Sequence, residues 1–241
     1  MSFPLFEKYV NNDWAKVLKS EFEANSAKLQ ELNDNILSKY RRADEEPVYP
    51  RCRRDIFKAF SFTTFANTKV VIMGQEPYHD ANACGLSFSI CAGKPLTRSL
   101  SKISEVLSND VGHSIPQNNG CLESWASQGV LLLNVFLTVG TEACSHENIG
   151  WDTFTDIVIR KLNAKNPPVF FLLWGTKAGD KSSLICEDKY IKSYHPSQRK
   201  CYDSSREGYV NFCDEEHKPF SGANDFLAEK GSTLIDWRLS E

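Results

Sequence analysis

The chain of 241 residues contains no apolar run approaching the ~20 residues a membrane-spanning helix requires, so no part of it is expected to cross a bilayer as a helix. Its eight cysteines, at positions 52, 84, 91, 121, 144, 186, 201 and 213, include no CxxC pair and no His-Cys cluster. That spacing excludes the usual zinc and iron-sulfur frameworks. With no signal-peptide pattern at the start, the cysteines are expected to be reduced thiols in an intracellular compartment, nucleus or cytoplasm, without a structural disulfide. Positive charge is also short: 28 Lys and Arg stand against 31 Asp and Glu, a formal net charge of -3. A nucleic-acid partner is therefore not announced by bulk charge and would need a local basic surface. Internal repeats and low-complexity tracts are absent.

What remains is globular material. Apolar residues at 41% and charged residues at 24% exclude a disordered chain, and the length suffices to bury a sizeable core. The organising stretch is Lys69 to Ser89, KVVIMGQEPYHDANACGLSFS. An apolar run, Val70 to Met73, stops at Gly74 and gives way to Gln75, Glu76, Pro77, Tyr78 and His79. This is the pattern of a buried strand delivering a polar loop, with Gly74 allowing a sharp turn and Pro77 stiffening the loop. Taken alone, the segment equally fits an ordinary strand exit facing water.

Ahead of it, Trp14, Val17, Leu18, Phe22, Leu29, Leu32 and Ile36 recur at helical spacing, which predicts one or two amphipathic helices before residue 45. After it come three further strand-like runs: Val130 to Leu133, Val169 to Trp174, and the weaker Tyr190 to Tyr194. Helix candidates lie between them at Thr97 to Leu107, Leu122 to Ser127, Thr153 to Leu162 and Lys177 to Cys186. The alternation predicts an α/β fold, a single domain with a central four-stranded parallel sheet flanked by helices and a helical N-terminal segment. Residues 1–66 form the helical part and 67–241 the α/β core of one domain spanning 1–241.

The residues just past each strand carry the chemistry. Gln75 and Glu76 come after the first, Asn134 after the second, Gly175 and Thr176 after the third, and His195, Pro196 and Ser197 after the fourth. Four parallel strands put these groups on one rim, where open α/β sheets bind ligands. Each residue alone has a plainer reading, such as a helix cap for Asn134 or a surface turn for His195; their joint placement favours a site.

Seven segments in order are similar to the family 1 uracil-DNA glycosylases. They are YPRCRRDIFKAFSFT (49–63), GQEPYH (74–79), GLSFS (85–89), LESWASQGVLLLNVFLTV (122–139), SHENIGWDTFTD (145–156), FFLLWG (170–175) and YHPS (194–197). The resemblance covers nearly the whole chain. It implies hydrolysis, without metal or cofactor, of the N-glycosidic bond of a uracil flipped out of single- or double-stranded DNA, in base-excision repair, by a monomer. It implies that Glu76 and His195 are catalytic and that Gln75, Tyr78, Phe88 and Asn134 hold uracil. Ser99, Gly175, Thr176, Ser197 and Arg199 then match the DNA-contacting loops, with Arg98, Lys177 and Lys200 as further local positive charge. A protein inhibitor or a replication partner is left open.

Three positions depart from the family pattern. Glu76 stands where the family has Asp, Arg199 where a leucine wedges into the duplex, and KPLTRS (94–99) where prolines precede the serine. Poxvirus relatives carry a similar arginine, and there the protein also serves as a polymerase processivity subunit. The competing expectation is thus a catalytically weakened, glycosylase-fold DNA-binding subunit of a replication complex. The intact Gln75, Tyr78, Phe88, Asn134 and His195 favour the enzyme.

Overall fold

Phenylalanine dominates the first contacts of the chain. Phe6 lies 5.3 Å from Phe22, 5.3 Å from Phe57 and 5.5 Å from Phe60 and Phe154, ring centre to ring centre, mostly edge to face. These rings bind the N-terminal helices into the same apolar core as the sheet. The computed structural model describes residues 3–197 and 206–239.

Where the spacing predicts one or two N-terminal helices, the chain forms four pieces: α1 (Pro4–Tyr9), α2 (Asp13–Val17), α3 (Lys19–Ala24) and α4 (Ser26–Arg41). The interruptions are local chemistry. Asn12 caps α2 by accepting from the Trp14 N–H, and the Asn25 amide donates to the Glu21 carbonyl, competing with the helix ladder. α5 (Lys58–Phe62) then leads into β1 (Val70–Gly74). Next come α6 (Arg98–Val111), α7 (Glu123–Ser127), β2 (Val130–Asn134), α8 (Trp151–Asn163) and β3 (Phe170–Trp174). α9 (Thr176–Asp180), β4 (Tyr190–Ser193) and α10 (Pro219–Glu229) complete the order.

The sheet is parallel throughout, with strand order β2-β1-β3-β4. β1, β2 and β3 are buried along their whole length, as their unbroken apolar runs require, whereas β4 at the edge is half-buried. From β2 the chain recrosses β1 to reach β3. The connections therefore diverge between β1 and β3, and that divergence leaves a crevice at their carboxyl ends. The helix expected over Lys177 to Cys186 is shorter, continuing after α9 as a 3₁₀ turn over Lys181–Leu184.

Candidate active site

A cavity of about 240 Å³ opens at that crevice, lined by Gln75 to His79, Phe88, Ser99, His195 and Ser197. It is smaller than the ~300–1,000 Å³ of drug-sized pockets, so it suits a single small ring rather than a whole nucleotide.

Gly74 ends β1 next to the cavity-lining Gln75, paired in register with Asn134. A Cβ there would lie 2.7 Å from Asn134 Oδ1 and 3.0 Å from the Phe88 ring. The glycine is thus required for close approach within the strand and not, as expected from the sequence, for a sharp turn. Asn134 is buried at 8% exposure, and its side-chain amide makes no hydrogen bond to the described residues. Packing beside Gly74 and Phe88 places it, where hydrogen bonds from neighbouring groups would be the usual lock.

Phe88 adopts φ 62, a left-handed backbone that costs a bulky residue roughly 1–2 kcal/mol. Its surroundings hold it there. The ring lies 5.2 Å from Trp174 and 5.7 Å from His195, and its carbonyl accepts a 3.0 Å bond from the Tyr78 hydroxyl. Having donated to Phe88, the Tyr78 hydroxyl must accept from Thr97 Oγ1, 2.8 Å away. Thr97 Oγ1 in turn accepts from the Leu100 N–H and so caps α6. Nothing in the sequence singles out Thr97, since KPLTRS stands out only as a departure from the family pattern. Ser99, in the first turn of α6, is buried and reaches the cavity wall.

His195, which also lines the cavity, is held at Nδ1. The Ser197 N–H donates to it at 3.2 Å, and the Ser197 hydroxyl lies 2.9 Å away. A backbone N–H can only donate, so Nδ1 carries no proton and the neutral ring keeps its proton on Nε2. Burial pulls the His195 pKa down to about 4, so the ring is neutral at pH 7. Gly175, at φ 99, lets the chain pass behind this ring, since a Cβ there would come within 3.2 Å of His195 Cβ and Cδ2. Thr176 opens α9 and is half-buried.

Glu76 is half-buried, and burial raises its carboxyl above the usual carboxylate range, partly offset by the Cys144 N–H. That N–H donates to both carboxylate oxygens, at 3.0 and 3.2 Å. Gln75 lies alongside, its amide 3.4 Å from Glu76 Oε1 and 3.2 Å from Cys144 Sγ. Cys144 has φ 60, and with Phe88 it accounts for the positive φ values of non-glycine residues among those described. Cys144 escapes a reading of the sequence, because a backbone N–H leaves no trace in residue type. Lys177 is ion-paired with Glu147 and is thereby occupied. Arg199 and Lys200 lie outside the described residues. Among the described residues no His/Cys/Asp/Glu group has metal-binding geometry.

Residues 60–228 match the model of the uracil-DNA glycosylase superfamily. The chain belongs to that superfamily. A uracil-DNA glycosylase of Desulfitobacterium hafniense (strain DSM 10664 / DCB-2) is 44% identical to it over 235 residues, 96% of this chain and 98% of that protein. The crystal structure of mimivirus uracil-DNA glycosylase shares the fold with a TM-score of 0.82 at 22% identity, over 97% of this chain and 89% of that one. A mimivirus UNG variant in complex with UGI matches with a TM-score of 0.82 at 23% identity, over 98% and 91% of the two chains.

Proposed function

We propose that this superfamily member is a family 1 uracil-DNA glycosylase, hydrolysing the N-glycosidic bond of a uracil flipped out of DNA and leaving an abasic site. The observation that carries the reading is the pairing of Glu76 with an Nε2-protonated, neutral His195 on one cavity sized for a single base.

Cleaving the bond leaves positive charge on the sugar and negative charge on the departing uracil. A carboxylate beside the anomeric carbon supports the oxocarbenium-like sugar and orients the attacking water. The base leaves as an anion whose O2 accepts from His195 Nε2–H. Because that donor is already oriented and neutral, no proton has to be moved before it acts. Phe88 stacks on the ring, and Tyr78 closes the side where thymine carries its methyl. Asn134 donates to O4 and accepts from N3–H, the reverse of the pattern cytosine presents. Gln75 borders the base. Ser99 and Ser197, which line the cavity, act with Gly175 and Thr176 as small hydroxyl and backbone donors that grip phosphates without bulk positive charge. Binding of UGI, the partner in the mimivirus complex, and an intracellular setting belong to the same proposal.

Incubation with an oligonucleotide carrying one uracil tests this. Free uracil and an alkali-labile strand are expected, with cytosine and thymine oligonucleotides left intact. An intact uracil oligonucleotide would leave the DNA-binding subunit as the reading to keep.

A further inference from the structure

A glutamate at position 76 carries its carboxylate one methylene further from the backbone than an aspartate would, a shift of roughly an ångström, enough to cost about 100-fold in rate if uncorrected. The correction is visible in the loop after β2. Cys144, in the left-handed backbone region, directs its N–H at both Glu76 oxygens, while the Gln75 amide spans Glu76 Oε1 and Cys144 Sγ. The loop is itself anchored. Its Gly140 N–H donates to Ser145 Oγ, and His146 Nδ1 lies 2.9 Å from Thr138 Oγ1, which also accepts from Trp151 Nε1. Trp151 begins α8, so the anchor reaches the core.

We infer that Cys144 is a positioning residue, whose backbone N–H seats the lengthened carboxylate of Glu76 for catalysis. The inference rests on the glycosylase reading. Glutamate is then the residue this loop requires, and aspartate, one methylene shorter, falls short of the N–H. The other charged groups acting on Glu76 are His79, which favours its ionised form, and Glu147, which opposes it and is itself paired with Lys177.

A double-mutant cycle on single-turnover uracil release tests this. Cys144→Val disfavours the left-handed backbone, and Cys144→Gly accepts it while keeping the N–H. Cys144→Val should slow release about 10-fold or more. It should also move the acid limb of the pH profile upward, because losing the N–H raises the carboxyl pKa. Cys144→Gly should stay within about threefold of wild type, and Glu76→Asp should be slower than wild type. In the Glu76→Asp background Val and Gly should perform alike. Equal rates for Val and Gly with Glu76 in place would overturn the inference, as would a valine defect undiminished by Glu76→Asp. Absence of uracil release from wild type would instead reject the glycosylase reading.

Discussion

Gly74 carries no side chain because Asn134 and Phe88 already occupy the space. Gly74→Ala puts a methyl 2.7 Å from Asn134 Oδ1, in a strand too tightly paired to yield. Single-turnover uracil excision is expected to fall about 100-fold, the cost of misplacing a positioning group by an ångström; an unchanged rate would contradict the base-reading role proposed for the Asn134 amide. At this scale the sequence is most informative where side chains carry chemistry. Gln75, Tyr78, Phe88 and His195 are legible in it and line one cavity, with Asn134 packed beside Phe88. Illegible are the groups that orient them. The Ser197 N–H that sets the His195 tautomer and the Cys144 N–H that holds Glu76 belong to the backbone, which every residue but proline supplies.

Among the elements, α6 reaches the site through its cap. One Thr97 hydroxyl starts the helix and supports the Tyr78 wall, which in turn holds the strained Phe88 carbonyl. Thr97→Val removes the hydroxyl at constant shape. It should destabilise the protein by about 1 kcal/mol, the cost of a lost cap, and raise thymine release relative to uracil release. Thr97→Ser should restore both, and a thymine-to-uracil ratio unmoved by Thr97→Val would separate the cap from base exclusion. The four strands are legible because buried parallel strands are continuous apolar runs. The breaks between the N-terminal helices are not, since the apolar spacing runs on across Asn25 while its amide turns back on the Glu21 carbonyl, and Asn12 starts α2 afresh by capping it. α10 also escapes the apolar pattern. Its signals are Pro219 at the start and a remote cap, Asp110, which accepts from the Phe220 and Ser221 N–H groups.

Over the whole molecule, burial sets the response to acid. His146 and His195 have pKa values pulled down to about 4 by burial, and His217 is lowered for the same reason. The unfolded chain protonates these rings near 6.5, whereas the folded chain resists, so their contribution is complete above 6.5 and is lost as pH falls toward 4. Glu76 works in the opposite sense: its raised pKa means that ionisation costs stability, and protonation at low pH relieves the cost. The three imidazoles outweigh this carboxyl, and the lowered carboxyls of Glu21 and Asp236 act in the same sense as the imidazoles, so stability should drop between pH 7 and 4.5, by on the order of 2 kcal/mol from His146 alone. Urea midpoints at the two pH values measure this, and equal midpoints would contradict it.

The same burial keeps the His195 ring neutral, with its proton on Nε2, and on that donor the proposed chemistry depends. The most direct measurement is therefore uracil release from a single-uracil oligonucleotide with enzyme in excess, wild type against His195→Ala at pH 7. Wild type should release uracil rapidly and the variant should lose about 10²–10³-fold, the usual cost of removing one oriented donor to a developing anion. Equal rates for the two proteins would contradict the role given to His195.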